Sequence, residues 1–247
     1  MEFDLEKPHS VSRNVVMKPG LKMSGAFHLP KFNQSTFEIE GFIGDVERGG
    51  SCNVRVQSFS PHNLTHIESS LHIVTNGHPI SEFARKMFQG LVYLIDLSHK
   101  PVLTNQTITV ADINEKLEKL NPQCKLLAIK TNYSNEAVDR DFSNTSPVAL
   151  DPDLTEFLSS QYPQIHGIFL DLPSADLEND GGKLLAHRKF FLLPDTGYIA
   201  DSHPLKYIGE LLYFKGIDEG YYFTIITPYR LETDAVITDI IFYSPTA

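Results

Sequence analysis

No stretch of the 247-residue chain comes near the roughly 18 consecutive apolar residues of a membrane-spanning helix. Positive charge is scarce: 21 Lys and Arg face 31 Asp and Glu, a net charge of −10. Nucleic acid and anionic membranes, which select positive surfaces, are therefore not expected partners. Cysteine is limited to Cys52 and Cys124, neither in a C-x-x-C pair, which excludes a disulfide framework for a chain of this size. The opening MEFDLEKPHS has no basic segment leading into an apolar one, so no secretory leader is expected and a reducing cytoplasm is the expected location. Gly-Gly pairs at 49–50 and 181–182 match neither dinucleotide nor Walker spacing, so a phosphate-cradling loop is absent. Tryptophan is missing too, and that excludes nothing.

What remains is an ordinary globular composition, 41% apolar and 21% charged, without repeats or low-complexity linkers. Residues 1–50 are rich in turn formers, among them Lys18-Pro19-Gly20, and contain short candidate strands such as Phe37–Ile43. Asn53–Phe59 alternates polar and apolar residues, which predicts a half-buried strand. A short helix is expected over Ser81–Phe88, with Ser81 as its cap. The continuous apolar runs Leu91–Leu97 and Lys125–Lys130 predict strands covered on both faces. Helices are expected over Thr109–Leu117, with Asp112 in the first turn, over Leu154–Gln161 and over Lys183–Leu193. Gly167–Asp171, Tyr221–Ile226 and Ala235–Phe242 read as further strands. Strands and helices alternate only in the middle third, which predicts a single α/β domain over 1–247 with a strong β component.

The segment Pro61-His62-Asn63-Leu64-Thr65-His66-Ile67-Glu68-Ser69-Ser70-Leu71-His72 concentrates imidazoles around one carboxylate. In an extended chain His66 and Glu68 leave the same face, and His62 and His72 lie four residues to either side of that pair. Imidazole nitrogen with carboxylate oxygen suits Zn²⁺, Mn²⁺ or Fe²⁺, whereas histidines on a loop are also commonly solvated or hydrogen-bonded. HNLTH is not HExxH, so the zincin protease is excluded. Ligands from elsewhere are on offer in His187, Asp201, Asp171 and Asp176, although the two last also suit simple turn-capping roles.

The pattern H-x-x-T-H-x-E-x-x-x-H resembles the H-x-G-T-H-x-D-x-P-x-H signature of the cyclase family of metal-dependent hydrolases, which includes bacterial kynurenine formamidase and isatin hydrolase. The likeness continues in order through Asn76–Ser81, Val92–Ser98, Ile108–Ile113, Leu126–Asn132, Gly167–Asp176 and Ala186-His187. It implies a swivelling β/β/α domain with a β-barrel-like core and flanking helices, assembled as a homodimer or homotetramer. It also implies metal ligands at His62, His66, Glu68 and His187, and a proton-transfer role for His72. The family's last ligand is a glutamate ending the following strand, and the nearest equivalent carboxylate by position is Asp201, with His203 as a competitor. The implied activity is hydrolysis of a small-molecule amide or cyclic amide, arylformamidase-like, using one or two divalent ions, Zn²⁺ first and Mn²⁺ second. Three departures stand out: Glu68 replaces the aspartate, Leu64 the glycine and Ser70 the proline. The first two, together with the unsettled last carboxylate, motivate the rival expectation of a non-catalytic binding protein that keeps the fold with an impaired metal centre.

Overall fold

The computed structural model describes residues 1–13, 25–100, 106–135, 140–195 and 197–246. Among these, eight strands form the main sheet: β1 (Phe3–Ser10), β2 (His66–Ser69), β3 (Gln89–Asp96), β4 (Leu126–Lys130), β5 (Gly167–Leu170), β6 (Tyr207–Glu210), β7 (Gly220–Pro228) and β8 (Ala235–Pro245). Their order is β1-β8-β7-β3-β4-β5-β6-β2, and a further pairing of β8 with β2 closes seven of them into a barrel. Strands β3 to β6 run parallel, and the remaining pairings are antiparallel. The expected α/β class with a barrel-like core and flanking helices is what the chain adopts.

The long apolar runs have a direct cause. Val92, Leu94, Leu126, Ala128, Phe169, Tyr207, Ile67, Val236 and Ile240 belong to one buried cluster that draws on every barrel strand and fills the interior. Their alternates Ile95, Leu127, Ile129, Ile168, Leu170 and Ile208 belong to a second cluster, under the helices α1 (Val110–Leu117), α2 (Pro152–Gln161) and α3 (Leu185–Phe190). A strand packed on both faces loses the polar half of its alternation. Thr109 caps α1, and the Asp112 carboxylate reaches back to accept from the Thr109 amide at 2.8 Å, as its place in the first turn predicts.

Some expectations fail for physical reasons. Ser81–Phe88 is two short 3₁₀ turns, Ile80–Glu82 and Arg85–Phe88, with Pro79 rather than a serine ahead of the first. Arg55–Ser58 is a strand but not half-buried: among the described residues it pairs with Asn33–Thr36 in a two-stranded antiparallel sheet separate from the barrel, and all four residues are exposed. Within Phe37–Ile43 the chain turns at Gly41, splitting one expected strand into Glu38–Ile39 and Phe42–Ile43. Lys18-Pro19-Gly20 lies outside the described residues. Among the described residues no helix is long and apolar enough to cross a membrane.

The interior of the parallel strands is packed reciprocally. A Cβ at Gly167 would meet the Tyr207 ring at 2.5 Å and Leu126 at 2.8 Å, and one at Gly209 would meet the Phe169 ring at 2.5 Å. Each glycine accepts the ring of the neighbouring strand. Gly167→Ala is expected to cost about 1–3 kcal/mol by overpacking. It would appear as a lowered urea midpoint with an unchanged slope, and an unmoved midpoint would contradict this packing.

Candidate metal centre

Side-chain alternation puts Ile67 and Ser69 on one face of β2 and His66 and Glu68 on the other. Ile67 fills the barrel, so His66 and Glu68 face outward, toward α3. Antiparallel register places Glu210 of β6 opposite His66, and Ile208 opposite Glu68. On the other flank β8 sets Ile237 against His66 and the small Ala235 against Glu68. The site therefore sits on the outer wall of the barrel, over the seam where β8 meets β2. His66, Glu68, His187 and Glu210 are all buried there, while His62 and His72 are partly exposed at the rim.

Four donor atoms converge. His62 Nδ1 lies 3.1 Å from His66 Nε2 and 3.3 Å from Glu68 Oε2. His66 Nε2 lies 3.6 Å from Glu68 Oε2 and 3.5 Å from Glu210 Oε2. Metal–ligand bonds of about 2.0–2.2 Å put neighbouring donors roughly 3.0–3.5 Å apart, so this quartet has the spacing of a coordination shell. Glu68 Oε1 and Glu210 Oε1 turn to His187 Nε2, the first in a close hydrogen bond and the second at 3.5 Å. Glu68 thus stands between two imidazole groups, with His72 Nε2 another 3.8 Å from its Oε2.

Each ring is fixed through the nitrogen it does not offer to the cluster. His66 Nδ1 donates to the Leu64 carbonyl at 2.9 Å. His187 Nδ1 donates to Asp176, whose carboxylate also accepts from the Ala186 amide at 2.7 Å and the His187 amide at 3.1 Å. Asp176 therefore starts α3 and orients its histidine at once, in the carboxylate–histidine arrangement found behind metal ligands. His62 Nε2 and His72 Nδ1 both lie 3.2 Å from Asp234 Oδ2. Leu184 and Leu211, the residues flanking α3 and following Glu210, sit at positive φ of 51° and 55°, strain that the surrounding structure must offset.

The electrostatics suit a cation. Burial opposes protonation of His62, yet the hydrogen bonds it donates to Asp234 and Glu68 raise its pKa to about 10. Burial likewise opposes charge on His187, and Glu68, Asp176 and Glu210 overcome it, holding the ring well above the ordinary value. Burial would neutralise Glu68, but His187 and His72 keep it ionised far below the usual carboxylate range. Two carboxylates and two imidazoles out of water require positive charge among them, and either protons or a divalent ion can supply it.

Of the residues singled out in the sequence, the structure brings together His62, His66, Glu68, His72 and His187. Asp201 it does not: this residue is exposed in the turn Ala200–His203, where no strand ends. His203 is spent on the Phe191 carbonyl at 2.6 Å. Glu210 supplies the carboxylate instead, and it does end the strand that follows α3. The missed signal was Tyr207-Ile208-Gly209-Glu210, a strand of only four residues inside a longer apolar run. Asp234 was missed as well, because it lies far along the chain, beyond any local motif. Asp171 is not at the centre: buried, it accepts from the amides and hydroxyls of Thr131 and Ser134 and pins the end of β4. Thr65 is equally structural, accepting from the Arg13 amide and donating to the Leu211 carbonyl at 2.7 Å.

The fold recurs in solved structures. One described as a potential metal-dependent hydrolase with cyclase activity superposes with a TM-score of 0.69 at 21% identity, covering 98% of this chain and 99% of that one. Isatin hydrolase A from Labrenzia aggregata, bound to benzyl benzoate, gives 0.68 at 17% identity over 95% and 93% of the two chains. An isatin hydrolase bound to the product analogue thioisatinate gives 0.69 at 15% identity over 98% and 94%. No curated protein sequence matches the chain. The sequence model described as "Putative cyclase" matches residues 4–177, which spans every element up to Asp176, and the chain belongs to that cyclase family.

Proposed function

We propose that the protein is a metal-dependent hydrolase of a small amide or cyclic amide. The observation that carries this is the convergence of His62 Nδ1, His66 Nε2, Glu68 Oε2 and Glu210 Oε2 at coordination spacing, beside an imidazole that is not among them. His62, His66, Glu68 and Glu210 would hold a divalent ion, with His187 beside the other oxygens of both carboxylates positioned for a second. Such an ion, Zn²⁺ or Mn²⁺ by its nitrogen and oxygen donors, lowers the pKa of water toward neutrality and polarises a carbonyl.

The chain's own residues do the rest. His72, partly exposed at the rim, presents Nε2 toward Glu68 and can accept a proton from attacking water. It then returns that proton to the departing amide nitrogen, so no net charge is left on the imidazole. Buried His187 and Glu210 keep water from the inner side of the centre. The kinship in fold with isatin hydrolases supports a cyclic amide or an aryl formamide as the substrate class. Isatin and formanilide with added Zn²⁺ or Mn²⁺ are the probes to test first.

Three outcomes are expected. His66→Ala loses bound metal and hydrolysis together, measured by elemental analysis and turnover; full occupancy with unchanged turnover would remove the centre from this place. His72→Ala keeps its metal and loses about 10²–10⁴-fold in turnover. Loss of metal instead would make His72 a ligand. Finally, Asp234 and Glu68 raise the pKa of His62 to about 10 against the cost of burial, so a proton must leave Nδ1 when an ion takes that atom. Calorimetry in buffers of different ionisation enthalpy should show at least one proton released per ion near pH 7. Affinity should weaken as pH falls, since acid favours the protonated rings; pH-independent binding would contradict this.

A further inference from the structure

Asp234 belongs to no motif, yet it touches two of the site's histidines with one oxygen. Oδ2 lies 3.2 Å from His62 Nε2 and 3.2 Å from His72 Nδ1, while Oδ1 accepts from the Thr233 hydroxyl at 2.9 Å. Its position is set by the barrel seam. The Asp234 carbonyl accepts from the Ser69 amide at 3.0 Å, and the next residue, Ala235, opens β8 opposite Glu68. The Thr233 carbonyl accepts from the Ile80 amide, tying the same loop to the chain beyond His72.

A carboxylate only accepts, so each imidazole nitrogen facing Oδ2 must carry the proton. A neutral imidazole protonated at one nitrogen offers a lone pair at the other. Once its second proton has left, as ion binding requires, His62 thereby offers Nδ1, the atom 3.1 Å from His66 Nε2 in the ligand cluster. His72 thereby offers Nε2, the atom turned to Glu68. Thr233 occupies the other oxygen and prevents the carboxylate from rotating away.

We propose that Asp234 is a positioning residue that fixes the tautomers of a metal ligand and of the proton-transfer histidine at the same time. Both rings stand 3.2 Å from one oxygen, so a shift of that oxygen displaces ligand and proton acceptor together. The inference rests on the metal-dependent hydrolase proposed above for its consequences, but the tautomers themselves are observable without turnover.

The test compares wild type with Asp234→Ala and the isosteric Asp234→Asn, each labelled with ¹⁵N-histidine, with and without Zn²⁺. Two-bond ¹⁵N–¹H correlation spectra distinguish Nδ1–H from Nε2–H rings. In the wild type His72 should be a single Nδ1–H tautomer, and in Asp234→Ala a mixture. Zinc affinity should fall about 10–100-fold in Asp234→Ala, the usual effect of removing a residue behind a metal ligand. In Asp234→Asn an amide oxygen in the place of Oδ2 can still accept from both rings while the amide NH2 faces Thr233, so the Nδ1–H tautomer of His72 should be retained. At saturating zinc, kcat on isatin should fall tenfold or more with KM little changed. An unaltered His72 tautomer and unaltered zinc affinity in Asp234→Ala would overturn the inference. A wild type that takes up no zinc would instead refute the metal centre, and the zinc-free His72 spectrum would still decide the role of Asp234.

Discussion

The Glu68 carboxylate is almost wholly cut off from solvent, and a charge placed there must be matched at close range. His187 meets one of its oxygens, and His62, His66 and His72 surround the other. Removing the buried His187 would leave the carboxylate less compensated, a change that typically costs several kcal/mol. The rings in turn need their outward nitrogens held, and the Leu64 carbonyl, Asp176 and Asp234 hold them. A single buried acid thus organises two layers of hydrogen bonding around it.

Barrel closure is what makes this possible. Only where β8 joins β2 do an acid from β6, the β2 pair and the loop entering β8 come within reach of one another. The same alternation that sends Ile67 and Tyr207 into the barrel interior sends His66, Glu68 and Glu210 to its outer wall. A one-residue slip in β2 would exchange those faces and put apolar side chains where His66 and Glu68 now stand. Tight interior packing of Tyr207 over Gly167 and Phe169 over Gly209 fixes that register from within.

How much of this was legible in the chain depends on how local each signal is. Leu126–Lys130 and Gly167–Leu170 announced themselves because double-sided burial writes a continuous apolar run. His62, His66, Glu68 and His72 were legible because their spacing lies within one short segment. Glu210 was not, because its strand is four residues long and its partners are set by pairing with β2, not by neighbours in sequence. The turn at Asp201 offered a carboxylate at a plausible distance along the chain and none in space. Asp234 was the least legible, since its contact with His62 spans 172 residues and exists only once the barrel has closed.

The departures from the family pattern also acquire physical meaning. Leu64 replaces a glycine, but its φ of −127° is ordinary extended backbone, so no glycine is needed there. Its carbonyl, which any residue would supply, is what holds His66. Ser70 replaces a proline at the first position of the 3₁₀ turn Ser70–His72, where proline is tolerated because that amide has no partner within the turn. Serine keeps the turn and adds a hydroxyl that accepts from the His78 amide at 3.0 Å, binding the chain after His72 back to its start. Neither change disturbs a donor atom. Glu68 is the departure that acts on the site itself, and its longer side chain spans the gap between His187 on α3 and the His62–His66 pair on the seam. With Glu210 beside His66 and Leu64 in ordinary extended backbone, the case for an impaired centre narrows to Glu68, which places a carboxylate oxygen on each side.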